Sequence, residues 1–154
     1  MIYRSYSAAE TRKFASKLAK KLVRGSVKKK TALVVALSGE LGSGKTTFVQ
    51  GFLRGLGIRK RTTSPTFILF RRFRLGHKFR DSRLGFRDLF HIDAYRIKEP
   101  RELLSLGIKE IFSDPKNIVL VEWADKIRQL LPKGAIRIRF FHGRHENERK
   151  IVAI

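Results

Sequence analysis

The chain has 154 residues, 42% of them hydrophobic, which suits one globular domain and excludes a disordered chain. It contains no cysteine, which excludes disulfides and cysteine-bound zinc, and no apolar run approaches the roughly 20 residues that a membrane helix needs. Thirty-five Lys and Arg against 13 Asp and Glu give a net charge of +22, which attracts polyanions such as nucleic acids, although a generally basic solvated surface is the alternative.

The N-terminal segment is polar and lacks the apolar core of a secretory signal, so we expect a cytoplasmic protein that makes no membrane contact. The first predicted element is a basic helix over 8–24, which places Phe14, Leu18 and Leu22 on one stripe. Ser7, with a Glu three residues later, forms the pattern of a capping box at its start. A helix of this kind can lie on a membrane surface, but the narrow stripe favours packing against a sheet.

A strand, a glycine-rich loop and a second helix follow in that order. Residues 31–37, TALVVAL, form a near-continuous apolar run rich in β-branched residues, which is typical of a strand buried on both faces. The helix is predicted over about 44–56, and Gly57 is positioned to end it in a left-handed cap. The glycine-rich loop therefore joins a buried strand to a helix.

The remaining chain alternates strands with helices. Strand-like segments 66–73 and 86–92 flank a basic, glycine-containing segment and are predicted to pair as a hairpin or β-ribbon. The later predicted elements are a helix over 99–112 with a break at Gly107, a strand over 118–122, a short helix over 124–131, and an antiparallel pair, 135–141 and 149–154. The pattern predicts an α/β fold, a mixed central sheet flanked by helices, with 1–154 as a single domain.

Residues 39–46 read G-E-L-G-S-G-K-T and match the phosphate-binding spacing G-x(4)-G-K-[ST] in full. Glycines let successive backbone N–H groups point at phosphate oxygens, and the helix that follows adds its positive N-terminus. Lys45 places a charge near the β- and γ-phosphates, and the Thr46 hydroxyl can ligate magnesium. A glycine turn that binds nothing is the alternative, and the flanking strand and helix argue against it. The residues assigned to the nucleotide are Gly39, Glu40, Leu41, Gly42, Ser43, Gly44, Lys45 and Thr46. The fold is thus expected to be P-loop NTPase-like.

Two acids each follow a strand-like run. Asp93 ends the segment Leu-Phe-His-Ile-Asp, and Glu122 ends Ile-Val-Leu-Val-Glu. Either carboxylate can hold a magnesium ion, directly or through water, and the other can then orient the attacking water. A surface acid at a strand end is the alternative for each, and the adjacent P-loop makes it less favoured.

Five segments, in order and spacing, form a more specific pattern than the P-loop alone: GELGSGKTT (39–47), TSPTF (63–67), HIDAYR (91–96), ELxxLG (102–107) and VEWADK (121–126). Together they resemble the bacterial TsaE family, from Ser7 to about Arg139. The resemblance implies a small P-loop ATPase that uses ATP and Mg²⁺. It further implies a role with TsaB- and TsaD-type partner proteins, which install threonylcarbamoyl on adenosine 37 of tRNAs that read ANN codons.

The resemblance also implies roles for individual residues of the predicted site. Lys45 and Thr46 match the phosphate and magnesium positions, and Thr47 lies beside them. Asp93 matches the Walker-B-like acid and Glu122 a second acid near magnesium. Lys45, Asp93 and Glu122 are therefore the expected catalytic residues, and Thr46, Asp93 and Glu122 the expected metal ligands.

Outside the loop, Trp123 matches the family's tryptophan close to the nucleotide, and Thr11 matches a position near the base. Residues 64–66, Ser-Pro-Thr, match a switch-like loop whose conformation follows the nucleotide. Two features depart from the family. Asp125 stands where a Glu is usual, and residues 71–87 are longer and more basic than the hairpin expected there. That segment is either an RNA-facing ribbon or, slightly favoured, a solvated insertion.

Two other classes of function remain open from the sequence. A small P-loop kinase shares the strand–loop–helix start, but 154 residues leave little chain for an acceptor pocket and a lid. A basic nucleic-acid-binding module with a nucleotide switch would contact tRNA through its basic surface, with Arg71, Arg72 and Arg74 as candidates. No arginine is convincingly placed as an in-cis finger, and Arg96 is the only one with a motif reason, so we expect slow hydrolysis by the isolated chain that partners raise.

Overall fold

The computed structural model describes residues 1–26, 30–59, 70–80, 83 and 85–154. These residues form one seven-stranded sheet in the order β1-β7-β6-β2-β5-β4-β3. The strands are β1 (Ile2–Ser5), β2 (Leu33–Gly39), β3 (Phe70–Arg74), β4 (Asp88–Asp93), β5 (Asn117–Glu122), β6 (Ile136–His142) and β7 (Arg149–Ala153). The four central strands β6, β2, β5 and β4 are parallel, and the outer pairings are antiparallel. The predicted mixed sheet is confirmed.

Helices pack against both faces of the sheet. They are α1 (Ala8–Gly25), α2 (Lys45–Gly55), α3 (His77–Arg80), α4 (Arg101–Leu104), α5 (Ile108–Ser113) and a 3₁₀ helix (Ala124–Leu130). On one face of the sheet, α1 and α2 form an apolar cluster with Leu33, Val35 and Leu37 of β2. On the other face, α4, α5 and the 3₁₀ helix form a second cluster with Val34 and Ala36 of the same strand. Because β2 is buried from both sides, its sequence reads as a continuous apolar run.

The first helix begins at the predicted cap. The Ser7 side chain accepts a hydrogen bond from the Glu10 backbone N–H at 3.1 Å. The apolar stripe packs inside the protein, as predicted, since Leu18 is buried and the Phe14 ring stacks on Tyr3 of β1 at 4.1 Å. Its helical neighbour is α2. No helix among the described residues is long and apolar enough to cross a membrane.

Several predicted boundaries change. The strand predicted over 66–73 is described only from Phe70 onward, and its antiparallel pairing with β4 is confirmed. Residues 99–112 form two short helices, and Gly107 separates them with a φ of 80°, as the predicted break requires. Strand β1 was not predicted, because four residues flanked by polar ones carry too short a pattern. The short helix after β5 is a 3₁₀ helix with a kink at Ile127.

Candidate nucleotide-binding site

The glycine-rich loop turns from the end of β2 into the start of α2. Gly39, Gly42 and Gly44 have φ values of 143°, 71° and 97°, which side chains disfavour. A methyl group on Gly39 would lie 2.5 Å from the Phe140 carbonyl oxygen, so the loop also needs glycine for close packing. Gly44 is the N-cap of α2 and offers no side-chain cap. The first N–H groups of this helix therefore receive no side-chain cap, and an uncapped helix N-terminus can accept an anion such as phosphate.

Lys45 lies at the centre of the loop and is buried. Its ammonium group donates to the carbonyl oxygens of Gly39 and Glu40, at 2.7 and 2.8 Å, and lies 3.8 Å from the centroid of the Trp123 ring. Burial lowers the pKa of Lys45, while the charges of Glu122, Asp125 and Asp93 oppose that shift. The charges of all three carboxylates therefore act on the Lys45 ammonium group, which is held against the carbonyl oxygens of the loop.

The Glu122 side chain, at the end of β5, connects the first turn of α2 to the sheet through hydrogen bonds. Its Oε2 accepts a hydrogen bond from the Thr46 hydroxyl at 2.9 Å, and its Oε1 lies 2.8 Å from the His91 Nε2. Glu122 and His91 are both buried. A hydroxyl beside a carboxylate, at the mouth of a phosphate loop, is the oxygen donor set that magnesium takes when phosphates supply further ligands. The residues present therefore fit the predicted ion.

Asp93 lies at the same sheet edge as Glu122. The parallel register of β4 and β5 pairs the two residues directly, and the Asp93 Oδ1 accepts from the Tyr95 backbone N–H at 3.0 Å. Among the described residues, no group of three or more His, Asp or Glu side chains is arranged to hold a metal. A magnesium site here would consequently depend on Thr46 and on phosphate oxygens as well as on an acid.

Trp123 forms one wall of a cavity beside the loop. Its φ of 56° makes it the one non-glycine residue with positive φ in the described ranges. The cavity has a volume of about 530 Å³. It is lined by Ser38, Gly39, Glu40, Trp123, Asp125, Arg139, Phe140, Phe141 and His142. A backbone held in this conformation is costly for tryptophan and is typical of a functional position.

The other predicted residues fall in different places. The Thr11 hydroxyl is buried on α1 and lies 2.7 Å from the Ser5 Oγ, and its role near the base stays a prediction. Thr47 lies in the first turn of α2. Asp125, despite its shorter side chain, lines the cavity and contributes to the field at Lys45. Residues 64–66 lie outside the described residues.

The β6–β7 hairpin supports the loop in a way the sequence analysis missed. His142 Nε2 lies 3.0 Å from the Leu41 carbonyl oxygen, and a methyl group on Gly44 would lie 3.7 Å from the Arg149 Cγ. The contact of His91 with Glu122 was likewise not predicted. A signal for it existed: His91 lies two residues before Asp93, and the period of two in a strand puts both on one face.

A glycine loop between a parallel strand and a helix, within a mixed sheet, defines a P-loop NTPase-like α/β protein. The family model described as "Threonylcarbamoyl adenosine biosynthesis protein TsaE" matches residues 5–151. This chain therefore belongs to the TsaE family.

Relatives agree with that assignment. The tRNA threonylcarbamoyladenosine biosynthesis protein TsaE of Haemophilus influenzae is 33% identical over 82% of this chain and 72% of its own length. The TsaE protein of Bacillus subtilis is 39% identical over 68% of this chain, which spans only 59% of that relative. The crystal structure of Bacillus subtilis YdiB superposes with a TM-score of 0.70 and 29% identity, over 98% of this chain and 82% of YdiB.

Proposed function

We propose that this chain is a magnesium-dependent ATPase that supports threonylcarbamoyladenosine modification of tRNA position 37 in the cytoplasm. Its proposed partners are TsaB- and TsaD-type proteins. The observation that carries the proposal is the first turn of α2, where Lys45 and the Thr46–Glu122 pair meet at an open helix N-terminus. Family membership supports the pathway.

The loop binds ATP through its backbone and Lys45. The uncapped N–H groups at the start of α2 take phosphate oxygens, and the Lys45 ammonium adds a full positive charge beside them. Trp123, which covers that ammonium group, is proposed to lie close to the nucleotide. Thr46 and Glu122 would hold magnesium, which when bound neutralises charge on the phosphate oxygens.

Asp93 is proposed to orient the water that attacks the γ-phosphate. Glu122 contacts Thr46 and His91, and Asp93 pairs with Glu122 one strand further along the same end of the sheet, near enough for its charge to act on Lys45. A carboxylate at this position can accept a hydrogen bond from a water molecule. It would thereby direct the lone pair of that water toward the γ-phosphorus, in line with the bond to the bridging β–γ oxygen that breaks. The terminal phosphoryl group then passes to water, leaving ADP and phosphate.

Partner proteins are proposed to accelerate this slow step. Arg149 lies beside Gly44, but its NH1 group donates to the Glu146 and Glu148 carbonyl oxygens of its own hairpin. An arginine supplied in trans can raise hydrolysis by about 10³–10⁵-fold. We therefore expect the isolated chain to turn over slowly and the assembled proteins to turn over faster.

The test is a reconstituted assay with TsaB- and TsaD-type proteins, tRNA, ATP and Mg²⁺, in which ADP release and tRNA modification are both followed. Lys45→Ala is expected to abolish both, and the exposed α5 residue Lys109 provides the control Lys109→Ala, which should retain them. Pull-down of the partners in ATP and in ADP shows whether the complex depends on nucleotide. Full modification activity in Lys45→Ala would refute the proposal.

The same assay separates the kinase alternative. A kinase would release ADP only when an acceptor molecule is present, and it would leave a phosphorylated product. We expect ADP to be released without any added acceptor, together with free phosphate and with no phosphorylated product, because the proposed acceptor is water. ADP formation without free phosphate would identify a phosphotransferase instead.

A further inference from the structure

One part of the sheet has a face that no described helix covers. On the side of α4, α5 and the 3₁₀ helix, the apolar cluster contains no side chain from β1, β6 or β7. The opposite side of these three strands is buried, as Ile138, Phe140 and Ile151 show. Strands β1, β7 and β6 are therefore half-covered, with one core face and one outward face.

The pairing register identifies the residues of this outward face. Phe141 pairs with Lys150 and Lys150 with Arg4, while Arg139 pairs with Val152 and Val152 with Ile2. Directly paired residues lie on the same side of a sheet. Arg137 pairs with Ala36, which lies in the apolar cluster on that same side, so it shares this face. We call the set the open face: Ile2, Arg4, Arg137, Arg139, Phe141, Lys150 and Val152.

The open face combines positive charge with an exposed aromatic ring. Phe141 is 45% exposed, and the Lys150 ammonium lies 5.9 Å from its ring centroid. Within the described part of the chain, Arg137, Arg139 and Lys150 make no salt bridge, whereas Arg4 pairs with Glu148 at 3.1 Å. Three cations on this face consequently lack a carboxylate partner among the described residues.

A cavity of about 260 Å³ borders the open face. Arg137 and Arg139 line it from β6 and Arg128 from the 3₁₀ helix, with Asp125 as its one acid. Arg139 and Asp125 also line the 530 Å³ cavity beside the P-loop. Arg139 and Phe141 therefore belong both to the open face and to the lining of the cavity beside the P-loop, so the two sites are adjacent.

We propose that the open face binds single-stranded RNA. Phe141 stacks on a base, while Arg137, Arg139 and Lys150 contact backbone phosphates, and Arg128 extends the phosphate path into the smaller cavity. A sheet that presents aromatic and basic side chains together is suited to unpaired bases, because stacking requires bases that are not already stacked in a duplex. The net charge of +22 supplies the long-range attraction.

The structure favours this face over the basic strand β3. In β3, the aromatic rings of Phe70 and Phe73 are partly buried against the apolar clusters, and the Arg72 side chain donates to the buried Asp88 carboxylate at 2.9 Å. Lysines 13, 17 and 20 on α1 are exposed at helical spacing, and no exposed aromatic side chain lies between them. They provide a charge-matched comparison.

The experiment measures binding of a fluorescent single-stranded RNA by anisotropy, over a KCl series and with no nucleotide present, so that it is independent of ATP hydrolysis. The variant Arg137→Gln, Arg139→Gln, Lys150→Gln is compared with Lys13→Gln, Lys17→Gln, Lys20→Gln, which removes the same charge from α1. Because the open-face variant loses three phosphate contacts, the slope of log K for RNA binding against log[KCl] should become shallower by about 2. The slope of the α1 variant should stay that of the parent chain. Equal losses in both variants would show diffuse binding and overturn the proposal.

Phe141 tests the stacking contact separately. Phe141→Ala is expected to weaken single-stranded RNA binding by roughly 5- to 150-fold, and Phe141→Tyr should retain it. A blunt RNA duplex of the same sequence should bind the parent chain more weakly and should be insensitive to Phe141→Ala. Thermal unfolding confirms that each variant is folded. Unchanged single-stranded binding in Phe141→Ala, or tighter binding to the duplex, would refute the assignment.

Discussion

The Glu122 carboxylate contacts both the first turn of α2 and strand β4, and so connects the parts of the candidate site. It is buried, and its two oxygens are divided between the Thr46 hydroxyl and the His91 ring. An acid removed from water must be satisfied by such contacts, or its charged form is disfavoured. The two partners therefore fix the carboxylate in a single orientation at the loop.

Replacing Glu122 by Gln should separate charge from shape. The amide can still accept from Thr46, but it loses the negative charge that magnesium requires, so we expect hydrolysis to need far more Mg²⁺ or to be lost. ATP binding in the absence of Mg²⁺ should be retained. Titration of ADP release with Mg²⁺ measures the change, and the exposed Glu146 provides the control Glu146→Gln.

His91 is expected to act on the ion through Glu122, as a positioning residue. Loss of a group that orients a metal ligand typically costs 10- to 100-fold in metal affinity, so His91→Ala should raise the half-saturating Mg²⁺ concentration by roughly that factor. Retention of nucleotide affinity without Mg²⁺ would distinguish this role from a general loss of structure. An unchanged Mg²⁺ titration would contradict it.

Some residues of the candidate site could be predicted from the sequence and others could not, for a physical reason. Lys45, Thr46, Asp93 and Glu122 could be proposed because each follows a local pattern, a glycine loop or a strand end. The contact of His142 with the loop and the position of Arg149 beside Gly44 depend on how the β6–β7 hairpin lies against β2, and no local pattern encodes that placement. Side-chain roles set by neighbouring strands were therefore the ones missed.

At the scale of elements, α1 and α2 pack unusually closely. A methyl group on Gly51 would lie 2.3 Å from the Arg12 carbonyl oxygen, and one on Gly55 would lie 2.7 Å from that of Ser16. Both glycines are on α2, spaced by four residues, so they line one side of the helix. The backbones can approach because these positions carry no side chain.

The Gly51→Ala substitution should therefore destabilise the protein. The added methyl group meets backbone atoms that cannot rotate away, and such overpacking typically costs about 1–3 kcal/mol of unfolding free energy. Gly25, at the end of α1, has nothing within 4 Å of the added methyl position, so Gly25→Ala should be neutral or slightly stabilising. Urea unfolding of the two variants provides the comparison, and equal stability would show that the helices can separate without cost.

Asp88, the first residue of β4, should make the stability of the protein depend on pH in the acid range. Burial works to raise the pKa of Asp88, but the hydrogen bonds and charges of Arg72 and Arg87 together lower it below the ordinary 3.8. A carboxylate with a lowered pKa contributes stability above its unfolded pKa and loses it as the pH falls through the folded value. Below pH 4 we expect the melting temperature to fall more steeply in the parent chain than in Asp88→Asn. Parallel curves would contradict this.

The elements themselves were largely predictable, and the exceptions are instructive. Strands β2 and β5 are buried on both faces, so their continuous apolar runs identified them. Strand β1 exists because its backbone pairs with β7, from the other end of the chain, and its four residues give no periodic signal. The same long-range pairing creates the open face, which could not be inferred before the strand order was known.

On the scale of the whole molecule, a charge of +22 on 154 residues must produce self-repulsion. The effect is concentrated where like charges are neighbours, as on α1, where Lys13, Lys17 and Lys20 are exposed along one side. Like charges at helical spacings of three and four residues oppose helix formation. The two apolar clusters must outweigh this repulsion for the protein to fold.

Salt should consequently stabilise this protein. At 0.1 M ionic strength the screening length is about 10 Å, so raising NaCl from low concentration to 0.3 M should increase the melting temperature by several degrees. The variant Lys13→Gln, Lys17→Gln, Lys20→Gln should melt about 2–4 °C higher at low salt and respond less to NaCl, if the lost repulsion is worth about 1 kcal/mol. The matched variant with Arg at the same three positions keeps the charge and should behave like the parent chain. A melting temperature that stays constant or falls with NaCl would show that the basic residues are already neutralised within the fold, and it would remove the electrostatic reason for expecting an RNA partner.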